Sequence, residues 1–149
     1  MMRLCGVLLA AGAVLALAAD EKKDDAKDEL KKFDGTWVLV SSEKDGEKAP
    51  EEAIKKVMPK AVSKDGTVTF ISDGKEQGQA TFTVDPTKKP KTMDATMTTG
   101  PDKGKKSLAI YEMEGDTLKI CYNEKERPKE FSAKKGSGNT LDTYKREKK

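Results

Sequence analysis

From about residue 61 onward the chain alternates apolar with polar side chains, the period-two pattern that gives a strand one dry face. Val68 and Phe70 alternate with Thr67 and Thr69. Ala80, Phe82 and Val84 alternate with Gln79, Thr81 and Thr83 until Asp85-Pro86 ends the strand, and Met93, Ala95 and Met97 alternate with Thr92, Asp94 and Thr96. Ser107 to Met113 and Thr117 to Asn123 read as a hairpin joined at Gly115-Asp116. In its second strand Leu118, Ile120 and Tyr122 face the core and Cys121 faces away. Ala61 and Val62 precede the hairpin turn Asp65-Gly66, Asp73-Gly74 marks another turn, and Gly100 to Gly104 a third. After Pro128, Phe131 anchors a short strand, and Gly136-Ser137-Gly138 leads into the last, Thr140 to Arg146.

The beginning of the domain differs. Thr36 to Ser42 is the most apolar strand and ends at Asp45-Gly46. One helix follows: Pro50 suits a first turn, Glu51 and Glu52 complement the helix dipole, Ile54, Val57 and Met58 form an apolar stripe, and Pro59 stops it. The predicted fold is all-β, a small antiparallel up-and-down barrel of eight or nine strands with one short helix after the first strand. Closing the strands into a barrel removes the exposed sheet edges.

Ahead of the domain lie two segments of other character. Arg3 followed by the apolar run Leu4 to Leu17 and the small residues Ala16 and Ala18 reads as a signal peptide over residues 1–18, cleaved after Ala18. The run is short for a membrane span, so no integral span is expected after cleavage. Cys5 precedes the run and does not suit a lipid anchor. Residues 19–29 form a charged spacer, and Leu30 and Phe33, three apart, begin the domain at 30–147 by folding a helical turn against one end of the barrel.

Composition narrows the function. Hydrophobic residues make up 35% and charged residues 37%, so the core must be thin. The 29 basic and 26 acidic residues are interspersed, aromatics are only 5%, and Arg occurs only at Arg3, Arg127 and Arg146, which argues against a nucleic-acid surface. The chain has no histidine, which removes Ser-His-Asp and Cys-His catalysis and imidazole-ligated metals. With Cys5 in the leader, Cys121 has no intrachain disulfide partner; an exposed thiol open to pairing between chains is the alternative reading of this outward residue.

The motif Phe33-Asp34-Gly35-Thr36-Trp37, followed by Ser42 and Asp45-Gly46, resembles the G-x-W opening of lipocalin-like proteins. The runs Asp85 to Lys91, Gly115 to Cys121 and Lys145-Arg146-Glu147 are similar to a domain of unknown function abundant in planctomycete bacteria, and this resemblance spans about Leu30 to Glu147. It implies a barrel and no particular activity. It also implies a structural pair, with Arg146 of the last strand lying across the Trp37 ring at the narrow end.

The remaining candidate chemistry is weak. Gly100 to Ser107 has one residue too few between its glycines for a phosphate loop and no following helix. Ser41-x-x-Lys44 and Ser72-x-x-Lys75 lie on no predicted helix. Glu51-Glu52 is explained by a helix start, and Glu112 with Glu114 flanks a turn. Met93, Met97, Met113 and Cys121 are soft Cu(I) ligands by type, but the methionines follow the core alternation. No metal, no cofactor and no enzymatic activity is expected. The expectation is an exported monomer, periplasmic or extracellular, holding a small apolar or amphipathic molecule through Phe70, Phe82, Met93, Met97, Ile110 and Tyr122. The alternative is a structural or protein-interaction module of the cell envelope with a solidly packed barrel. Short strands and inward Met and Ala argue against a cavity as large as a retinoid site.

Overall fold

Strands with one dry face must find a partner for it, and here they find one another. The computed structural model describes residues 25–148; the expected leader and residues 19–24 of the spacer lie outside the described residues. Helix α1 occupies residues 25–32. It is followed by β1 (Gly35–Lys44), the two-residue β2 (Glu47–Lys48), helix α2 (Glu51–Val57), β3 (Lys60–Lys64), β4 (Thr67–Ser72), β5 (Lys75–Asp85), β6 (Lys91–Met97), β7 (Lys106–Glu114), β8 (Thr117–Asn123) and β9 (Thr140–Arg146).

Every pairing is antiparallel, in the order β2-β1-β3-β4-β5-β6-β7-β8-β9, and β1 also pairs with β9. That last pairing closes eight strands into a barrel, with β2 as an extra strand beside β1. The architecture is a lipocalin-like barrel. Three of its turns are Asp-Gly pairs with both residues at positive φ: Asp45-Gly46, Asp65-Gly66 and Asp73-Gly74. This backbone matches the twist of the flanking strands, which is why the dipeptide signals a hairpin.

One end of the barrel is sealed. Trp37 is buried and donates from Nε1 to the Phe33 carbonyl at 2.8 Å. Arg146 is its direct cross-strand partner in the closing β1–β9 seam. Its guanidinium carbon lies 4.2 Å from the indole centroid, while Nη1 and Nη2 each donate at 2.7 Å to the Asp34 and Lys32 carbonyls. The Lys32 carbonyl belongs to the last residue of α1, so the cation also meets the negative end of that helix. Phe33 plugs the floor, meeting Phe82 and Tyr111 edge-on at centroid distances of 5.4 and 5.1 Å.

The expected 29/30 boundary falls inside α1, and the charged spacer contributes more than solubility. Glu29 is only 4% exposed and accepts hydrogen bonds from Lys32 at 2.7 Å, Lys91 at 2.9 Å and the Tyr111 hydroxyl at 3.0 Å. Burial alone would raise its pKa. The three donors outweigh it and hold the carboxyl below the ordinary glutamate range.

Other expectations need correction. The segment 124–139 forms no strand at Phe131; it is a loop whose hydrogen bonds reach β6, β7 and β8. Arg127 pins it by donating from Nη1 to the Met93 and Ala109 carbonyls at 3.2 and 2.7 Å and pairing with Asp94. Under this loop Ile110 and Cys121, directly paired across β7 and β8, are fully buried, with Ala133 also buried. Ile110 therefore lies on the outer face, opposite in parity to the inward Ala109 and Tyr111. Cys121 is 0% exposed, with its thiol 3.6 Å from the Ser132 carbonyl, so it does not offer a surface thiol. The α2 stripe is also narrower than expected, because only Ile54 is buried while Val57 is 36% and Met58 56% exposed. Met58 is the left-handed cap residue and has left the helical face.

Glu29→Gln should cost about 1–3 kcal/mol at pH 7 by urea unfolding, since it replaces charge-assisted bonds with weaker ones. The folded pKa lies below the ordinary value of 4.5, so the stabilisation is fully present above that value and fades as the pH falls through the folded pKa. The gap between wild type and variant should accordingly close in strong acid. Burial pushes the Cys121 thiol up, so Ellman's reagent should leave this residue unmodified in the native protein at pH 8 and modify it once denaturant is added, with peptide mapping to identify the site.

Candidate functional site

Several inward positions carry side chains too small to fill a barrel. Ala61 and Ser63 on β3, Ala80 on β5, Ala95 on β6, and Ser107 and Ala109 on β7 all line one cavity of about 470 Å³. Phe33, Trp37 and Phe82 belong to its floor, and Val68, Phe70, Met93, Met97, Leu118 and Ile120 to its walls. At the rim stand Gln77, Pro101, Asp102, Lys105 and Glu124. The barrel is therefore packed at its base and hollow above. A largely apolar cavity of this size, in the mouth of a barrel, is suited to a small molecule.

The loop of residues 98–105 shapes the mouth. It folds over the start of β5: the Thr98 amide donates to the Gln79 carbonyl at 2.8 Å, and the Gln79 amide donates to Thr99 Oγ1 at 2.9 Å. The approach is so close that a Cβ on Gly100, at φ +88°, would lie 2.6 Å from the Gln77 carbonyl oxygen. Glycine here lets the loop carry Pro101, Asp102 and Lys105 to the rim.

Phe70, Phe82, Met93, Met97 and Tyr122 are brought together around this cavity. Ile110 is not, because the sheet separates it from the interior. The same separation keeps Cys121 apart from Met93 and Met97, so the soft side chains do not converge. Among the described residues, no group of three or more Cys, Asp or Glu side chains is placed to hold a metal ion.

The polar wall of the cavity is less evident from sequence. Asp142 on β9 is 6% exposed and accepts a hydrogen bond from Ser42 on its cross-strand partner β1. A bulge between Leu39 and Ser41 resets the β1 alternation, so Ser42 points inward beside Asp142. Burial pushes the Asp142 carboxyl above the usual aspartate range, and hydrogen bonding from Ser42 and Tyr122 recovers only part of the shift. Burial, reinforced by the nearby Asp142 charge, also raises the Tyr122 and Tyr144 hydroxyls well above the ordinary tyrosine value. One signal did point to Asp142: placing Arg146 over Trp37 sets the parity of β9 and turns Tyr144 and Asp142 inward. Leu141, apolar but outward, masks it.

Ser63 is the one described residue with a buried side-chain oxygen or nitrogen that lacks a hydrogen-bond partner. No sequence pattern distinguishes it from a serine bonded to backbone.

No family model matches the chain, and no curated protein matches it.

Ser63→Ala removes an unsatisfied hydroxyl while leaving the fold of β3 unchanged. It should raise stability by about 1 kcal/mol, visible as a higher melting temperature in calorimetry.

Proposed function

We propose that this protein is an exported, non-enzymatic lipocalin-like carrier of planctomycete type that holds a small apolar or amphipathic molecule inside its barrel. The observation that carries the reading is the cavity of about 470 Å³, floored by aromatic rings and open at the rim. Such a void costs packing, since each inward Ala leaves lining atoms without neighbours. An occupant restores those contacts. The hollow interior favours this reading over a structural module with a filled barrel.

The leader-like N-terminus supports export, and its removal would leave a chain in which, among the described residues, no helix is long and apolar enough to cross a membrane. The interspersed Lys and Glu surface supports a solvated monomer.

N-phenyl-1-naphthylamine, which fluoresces in apolar surroundings, should bind saturably with a Kd on the order of 1–10 μM. Ala95→Phe directs a ring into the cavity from a half-buried position facing Phe82 across β5 and β6. It should abolish that signal while circular dichroism remains that of a barrel. A wild-type protein that gives no saturable fluorescence, and yields no small molecule on solvent extraction and mass spectrometry, would refute the carrier reading.

A further inference from the structure

The chain as a whole is basic, with a formal net charge of +3. Its cavity is lined the other way: Asp102, Glu124 and Asp142 contribute carboxyl groups against the single amine of Lys105. Lys105 is already engaged, 2.9 Å from Asp102 at the rim. Asp142 lies below the rim, buried, and meets only the hydroxyls of Ser42 and Tyr122; no basic side chain of the described residues stands against it. A buried carboxyl without a cation is held at a cost that a positively charged partner would remove. Ser63, buried and unpartnered, lines the same cavity, so the interior holds a second polar atom that the protein itself does not satisfy.

Resting on the reading of this cavity as a small-molecule site, we infer that it selects aliphatic amines, the ammonium pairing with Asp142 and the hydrocarbon tail running down over Phe82, Met93 and Leu118 toward Trp37. The acidic rim favours entry of a cation and disfavours a carboxylate of the same length. The apolar floor favours a tail over a second charge. Ser42 and Tyr122 fix the carboxyl from the side, which leaves it oriented before any ligand arrives.

The test uses three probes of equal chain length, decylamine, decanol and decanoate, each displacing N-phenyl-1-naphthylamine from the purified protein at pH 7. Decylamine should displace it at a concentration about tenfold lower than decanol, with decanoate the weakest. Asp142→Asn keeps the shape and, through Oδ1, the hydrogen bond from Ser42, and should bring decylamine to within about twofold of decanol, with displacement by decanol unchanged. Unchanged decanol displacement also reports that the variant is folded. If the dye binds but the three probes are equivalent, or if Asp142→Asn keeps the amine preference, the inference is overturned and the carrier reading stands. If the dye and all three probes fail to bind the wild-type protein, both are overturned.

Discussion

The Arg146 guanidinium stacked on Trp37 joins parts of the chain that are far apart in sequence. It sits in the seam where β9 meets β1, so it forms only when the barrel closes. Its donors reach the Lys32 and Asp34 carbonyls, so it also fixes the exit of α1. Trp37 in turn holds the Phe33 carbonyl, and Phe33 sets the floor against Phe82 and Tyr111. A planar cation is needed, because an ammonium cannot stack on the indole and span two carbonyls together. The hollow above has a bottom because this corner is dense.

That density contrasts with the rest of a chain poor in apolar residues. The protein distributes them in two places: the aromatic base of the interior, and a smaller cluster of Ile110, Cys121 and Ala133 on the outer face. The outer cluster exists because the 124–139 loop covers it, and Arg127 holds that loop by bonding main-chain carbonyls rather than by apolar contact. Above the base, the larger wall side chains are interspersed with Ala61, Ser63, Ala80, Ala95, Ser107 and Ala109. A void is the consequence.

Three buried polar side chains illustrate different solutions to the same desolvation problem. Glu29 is compensated by two ammonium groups and a phenol, which turns a charged helix into a lid for the base. Asp142 has hydroxyl donors alone, and Ser63 has none. The compensated group lies outside the cavity, and the two less satisfied ones line it. A cavity open at its rim tolerates such groups better than a dry core does.

Much of the barrel was legible in the sequence because its determinants are local. Period-two alternation, Asp-Gly turns and the proline-bounded helix specify strands, hairpins and α2 within a few residues of each signal, and β9 runs from Thr140 to Arg146 as its pattern indicates. Alternation also placed Phe70, Phe82, Met93, Met97 and Tyr122 inside. It failed at Ile110, in the continuous run Leu108 to Tyr111, because a strand covered on both faces has no dry side to read. It missed Asp142, whose inward parity follows from Arg146 over Trp37 but is masked by the apolar, outward Leu141, and it gave no hint that Glu29 would be buried by Lys91 and Tyr111 from other strands. Local chemistry determined which segments became strands and where they turned. Only closure of the barrel decided which loop covered its outside, which carboxyls were buried and whether the interior was filled, because each depends on side chains brought together from distant parts of the chain.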